Sequence, residues 1–103
     1  MKRKHWAQFE VIRIAQSIGL KNFDRRFILY WTRKGIFPKA VVGINGVFSL
    51  YDNDEIDKAL LTIAKRSNNY VKKEGLKKAK EEVLRTPAST KLQEVINLLK
   101  KEG

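Results

Sequence analysis

The sequence contains no cysteine, so neither a disulfide framework nor a thiolate metal site can form, and thiol redox chemistry is excluded. Histidine occurs once, at His5, and no His, Asp and Glu residues share metal-ligand spacing. A Gly-rich phosphate loop is missing as well. The acidic string Asp52-Asn53-Asp54-Glu55 has the outline of a calcium loop, but Asp57 stands where that loop requires glycine, and helix capping accounts for it better. These absences leave no catalytic constellation and no cofactor motif, so the chain reads as a binding protein that uses no cofactor, not as an enzyme. Long apolar runs are lacking too. No stretch approaches the roughly 18 uninterrupted apolar residues of a membrane span, and Met1-Lys2-Arg3-Lys4 is followed by no apolar segment of signal-peptide length. The expectation is a soluble cytoplasmic protein without membrane contact.

Acidic side chains are scarce. Only 11 Asp and Glu stand against 22 Lys and Arg, a formal charge of +11, which points to a polyanionic partner. The imbalance sits in the first half: residues 1–51 carry ten basic side chains against Glu10 and Asp24 alone, whereas residues 52–103 carry twelve against nine acids. What is present suffices for a fold. With 103 residues, 43% hydrophobic and 10% aromatic, the chain can bury one modest core and is too short for two independent ones.

Residues 1–8 are basic and without period, and are expected to form a flexible arm, with His5 and Trp6 as the residues that could fold back on the domain. From Glu10 to Ile18, Val11, Ile14, Ala15 and Ile18 recur at helical spacing and Gly19 supplies a stop. Asp24 is placed to cap a second helix from Arg25 to about Lys34, carrying Phe27, Ile28 and Trp31 on a core face and closing at Gly35 before Pro38. Two short helices joined by a tight turn make a helix-turn-helix candidate. Two β-prone runs flank Asn45-Gly46 between Val41 and Tyr51, a strong hairpin signal and a candidate wing. Asp52 and Glu55, at capping-box spacing, open a third helix with Ile56, Leu60, Ile63 and Ala64 facing the core. Between Ser67 and Arg85 a thin stripe of Val71, Leu76, Ala79 and Val83 amid lysines predicts a solvent-exposed helix. Thr86-Pro87-Ala88-Ser89 breaks the chain, and Leu92, Val95, Ile96 and Leu99 mark a last helix that either completes the core or forms a self-association surface. The fold class expected is mostly α with a small β-hairpin wing: an arm over 1–8, a winged helix-turn-helix over 9–66 and a helical extension packed on it over 67–103.

Arg25 and Arg26 occupy the first turn of the second helix, where cations oppose the helix dipole at a cost of about 0.3–1 kcal/mol each. In a helix-turn-helix that turn faces base edges and phosphates in the major groove, and the guanidinium fork suits both. The bland reading is two solvated arginines, paired with Glu10 or Asp24. Arg25, Arg26, Leu29, Thr32 and Arg33 fall opposite Phe27, Ile28 and Trp31, so one face can pack while the other meets DNA. Trp31 is assigned to the core, and Tyr30 stays open between core and phosphate. Lys39 and the backbone around Asn45 are candidates against phosphates beside the wing, although an ordinary hairpin tip is an equal reading. The basic run from Lys72 to Glu82 reads mainly as a solvated face, since Glu74 has Lys77 and Lys78 at i+3 and i+4, with contact to a flanking phosphate as the lesser reading.

From about Val11 to Leu61, half of the chain, the order of these signals resembles the DNA-binding domain of the mercury-resistance regulator (MerR) family. Ile14-Ala15 and Gly19 match its first helix. Tyr30-Trp31, Gly35-Ile36-Phe37-Pro38, Asn45-Gly46, Phe48, Leu50-Tyr51 and Asp52-Asn53-Asp54-Glu55 match its aromatic pair, its turn, its wing and its acidic helix start. The resemblance implies that Arg26 is a recognition-helix arginine and that Tyr30 contacts a phosphate. Leu29 stands where the family usually places a second arginine, and Ser49 where the wing carries one. The chain lacks the cysteines of the family's metal sensors, and no small-molecule effector segment is evident.

The reading that follows is a duplex-DNA-binding transcriptional regulator, nucleoid-associated when bound, contacting DNA through Arg25, Arg26, Tyr30, Arg33, Lys39 and Asn45, with a homodimer or an array on DNA as the assembly. The alternatives are an accessory or architectural DNA-binding protein for recombination, plasmid or phage maintenance, and a winged-helix module that binds an acidic protein partner. RNA is a weaker candidate, because no aromatic platform for single strands is apparent.

Overall fold

The computed structural model describes residues 4–42 and 49–102, with the side chains of 42, 96 and 99–102 set aside. Among the described residues there are three strands and five helices in the order β1 (His5–Ala7), α1 (Gln8–Ser17), α2 (Arg25–Arg33), β2 (Val41–Val42), β3 (Ser49–Asp52), α3 (Asn53–Arg66), α4 (Lys73–Leu84) and α5 (Pro87–Glu102). The fold is thus mostly α with a small antiparallel sheet, as the sequence indicates. None of the helices described is long and apolar enough to cross a membrane.

Local signals set the helix ends. Asp24 caps α2 through Oδ1, which accepts the backbone N–H groups of Arg26 at 2.9 Å and Phe27 at 3.4 Å. Asp52 does the same for α3: its Oδ2 accepts from Asp54 and Glu55, each at 3.1 Å. Ala7 precedes α1 and has no side-chain acceptor, but buried Glu10 reaches back to take the Ala7 N–H at 3.0 Å, which supplies the carboxylate half of a capping box. Three helices stop in the same way. Gly19, Gly35 and Asn68 take positive φ (107°, 77° and 58°) just past α1, α2 and α3. In each case the residue and its successor donate to carbonyls of the last turn: Gly19 to Gln16 and Leu20 to Ala15, Gly35 to Thr32 and Ile36 to Trp31, Asn68 to Lys65 and Asn69 to Ala64. This is the Schellman arrangement, which satisfies otherwise orphaned carbonyls.

Gly19 is required twice over. Its φ suits glycine, and a Cβ there would meet the Asn69 amide nitrogen at 2.3 Å. That amide donates to the Ile18 carbonyl at 3.0 Å, so the end of α3 latches onto the end of α1. The main core gathers the expected face of α1 (Val11, Ile14, Ala15, Ile18) with Ile28 of α2 and Ile56, Leu60 and Ile63 of α3. Phe37 packs edge-on against Tyr51 at 5.2 Å, fixing the chain as it leaves α2 for the sheet.

Several expectations need correction. Within the arm expected over 1–8, His5–Ala7 forms an antiparallel strand on β3, in register His5 with Asp52, Trp6 with Tyr51 and Ala7 with Leu50. β3 therefore lies in the middle of the sheet, with β1 on one side and β2 on the other. Trp6 is only 2% exposed. Its indole N–H donates to Asn53 Oδ1 at 2.8 Å, and Lys80 Nζ stands 5.6 Å above its ring. Nor is α4 a solvated helix. Leu76, Ala79 and Val83 are buried in the main core, and Lys80 is buried with them.

The faces of α2 differ in detail. Phe27, expected inside, is half-exposed and stacks on Phe23 at 5.9 Å, while Thr32, expected outside, is half-buried and returns its hydroxyl to the Ile28 carbonyl at 2.6 Å. β2 and β3 pair antiparallel as the hairpin signal requires, Val41 with Leu50 and Val42 with Ser49. The Asn45-Gly46 tip lies outside the described residues. Among the described side chains of α5, Leu92 joins a core cluster with Ala7 and Leu50 and Leu98 is exposed, while Ile96 and Leu99 of the expected stripe lie outside the described side chains.

Candidate nucleic-acid interface

Since α2 buries Ile28 and half-buries Trp31, the helical period turns Arg25, Arg26, Leu29, Tyr30 and Arg33 outward together. All five are exposed. Lys39 is also exposed, on the segment between Phe37 and β2. Five of the six expected contact residues are therefore described and accessible, and Asn45 lies outside the described residues.

Asp24 organises the start of this face. While Oδ1 caps the helix, Oδ2 accepts from Arg26 Nε at 3.2 Å and Nη2 at 3.0 Å. The hydrogen bonds from the Arg26 side chain hold the Asp24 carboxyl below the ordinary carboxylate range, and the same contact raises the Arg26 guanidinium. This is the pairing the bland reading expected for one of the two arginines. It occupies one edge of the guanidinium only, and the Arg26 side chain remains 89% accessible. Among the described residues neither Arg25 nor Arg33 forms an ion pair. Among the described residues Asp24 is the acid that pairs with an arginine of this face.

Tyr30, left open by the sequence, is half-exposed. Its ring meets Trp31 edge-on at 5.1 Å, and Lys34 Nζ lies 5.5 Å from its centre, leaving a cation and a phenol side by side at the helix end. Lys34 was not singled out from the sequence, although its i+4 spacing from Tyr30 is the signal that finds it.

A second cluster was also missed. Lys80 Nζ donates to Asn53 Oδ1 at 2.6 Å and to Asp57, and it covers Trp6. This ties β1, α3 and α4 together on a different part of the molecule from the α2 face. An open groove of about 400 Å³ lies between α1 and α4, lined by Arg13, Gln16, Ser17, Glu82, Val83 and Thr86. Among the described residues no group of three or more His, Asp or Glu side chains could hold a metal.

Hydrogen-bond donors that are charged, exposed and held on a rigid helix can engage phosphate oxygens and the acceptor edge of guanine. No protein-family model, curated protein or solved structure matches the chain.

Proposed function

We propose that the chain is a duplex-DNA-binding protein in which α1 and α2 form a MerR-like helix-turn-helix, α2 enters the major groove, and the β2–β3 pair is a wing against the flanking groove or backbone. The observation that carries this reading is the outward face of α2, where Arg25, Arg26 and Arg33 are exposed and Arg26 alone is paired with an acid among the described residues. Arg26 and Arg25, in the first turn, contact base edges and phosphates, Tyr30 and Lys34 approach a phosphate at the other end, and Lys39 neutralises one beside the wing. Phosphate contacts position the protein, and the base contacts select sequence. Regulation of transcription is the role this arrangement suits, with an accessory role in recombination, plasmid or phage maintenance as its alternative.

The test is fluorescence anisotropy of a labelled mixed-sequence duplex across a salt series. Affinity is expected to fall with a log–log slope of about −0.9 per phosphate neutralised. The Arg25→Ala/Arg26→Ala double variant is expected to bind more weakly, with a slope shallower by up to about 1.8. A wild type that fails to bind duplex at low salt overturns the proposal.

One observation favours a second reading, a module for an acidic protein partner: Phe27, Leu29 and Tyr30 put apolar surface on the same helix. A partner of that kind predicts no duplex binding at low salt.

A further inference from the structure

Leu29 is half-exposed, and it lies at the centre of the α2 face. Arg25 and Arg26 sit four and three residues before it and Arg33 four after it, so the helical period encloses one aliphatic side chain within three cations. A single exposed leucine is ordinary on a protein surface. Its enclosure by arginines, on the face proposed to enter the groove, gives it a chemical role that the arginines cannot fill.

The floor of the major groove offers hydrogen-bonding edges at every base pair and one kind of apolar group, the methyl on C5 of a pyrimidine. A leucine pressed against a purine edge or a cytosine amine would bury a polar group without a partner, which costs free energy. Against a C5 methyl it buries apolar surface on both sides. Resting on the DNA-binding reading above, we infer that Leu29 is a specificity-determining residue that selects a C5-methylated pyrimidine, thymine in unmodified DNA, at the centre of the α2 footprint. The arginines around it supply affinity and guanine contacts on either side.

The probe is a random-sequence duplex library of about 30 base pairs, selected with the full chain. The selected duplex is then remade with each thymine replaced singly by deoxyuridine, which removes the methyl and nothing else. Wild type is expected to lose about fourfold in affinity at one or two positions, the worth of one buried methyl-sized group. The Leu29→Ala variant is expected to bind thymine and deoxyuridine duplexes equally, while keeping its steep salt dependence. A second arm places cytosine or 5-methylcytosine at the sensitive position. A gain with 5-methylcytosine in wild type alone assigns the contact to the methyl in either base.

Wild type that binds tightly but ignores the methyl in both bases overturns this inference and leaves the DNA-binding reading standing. A methyl preference that survives in Leu29→Ala overturns it equally. Absence of any duplex binding at low salt is the failure of the underlying reading, and this inference falls with it.

Discussion

The cations of α2 and the lysine of α4 carry the same charge in opposite surroundings. Lys80 is buried, with its ammonium bonded to Asn53 and Asp57 and lying over the Trp6 ring, and it joins three elements that are distant in sequence. Arg25 and Arg33 are exposed and form no ion pair among the described residues, and Arg26 shares a single carboxylate oxygen while most of its surface faces water. A buried charge must be compensated or the fold suffers, whereas a solvated one is nearly neutral for stability and remains free to meet an anion. Stability and proposed binding therefore rest on separate basic residues.

Substitutions can break this separation or sharpen it. The largest loss is expected from Trp6→Ala, about 3–5 kcal/mol in urea denaturation, because it empties a core position and leaves Asn53 and Lys80 without the indole. Lys80→Met keeps the apolar stem and removes the ammonium. It should cost about 1–3 kcal/mol, less than a fully buried pair would, because Asp57 stays within reach of water. For both variants the salt slope of the folded protein toward duplex DNA should match wild type, and a slope that changes would join the two regions.

Asp24→Ala removes a helix cap and should cost about 1 kcal/mol, whereas Asp24→Asn caps nearly as well and frees Arg26. The asparagine variant should bind duplex DNA more tightly than wild type at low salt, and equal or weaker binding would show that Arg26 works best when held. Arg25→Ala/Arg26→Ala should leave stability within about 0.5 kcal/mol while flattening the salt slope, the reverse of Lys80→Met. The smallest effect concerns acid. Arg26 depresses the folded-state pKa of Asp24, so the contribution of this carboxylate is complete above its unfolded value of about 4 and disappears as pH falls through the lower folded value. Urea midpoints should show a small acid-side loss in wild type that Asp24→Asn lacks.

What the sequence made legible is local. Asp24 and Asp52 are short acceptors at helix starts, Gly19 and Gly35 take the left-handed turn at helix ends, and the faces of α1 and α3 follow one period. Each signal acts within a few residues, so it survives without knowledge of the rest of the chain. The outward cluster of Arg25, Arg26, Leu29 and Arg33 was readable for the same reason, whereas Tyr30 was not. What escaped depends on distant partners. β1 exists because Trp6 finds Tyr51 across the sheet and Asn53 beside it, and nothing in a basic leader announces that pairing. α4 reads as solvated because only three of its apolar positions are buried, and it is held instead by α1 and by a lysine whose value lies in its neighbours. Thr32 was misplaced because its hydroxyl can satisfy itself on the preceding turn, which lets a polar residue lie partly inside.

The position of Trp6 also orders events during synthesis. The strand that carries it is made before the other elements described, yet its register partner is Tyr51 and the ammonium above its ring belongs to Lys80. At about 5–20 residues per second, roughly 4–15 seconds separate the making of the indole from the making of its cover. During that interval α1 and α2 can coil on their local signals while the indole is still wet. The covering of Trp6 by Lys80 therefore reports that synthesis has passed α4, and a nascent protein halted before α4 would carry α1, α2 and α3 with an indole that lacks its ammonium.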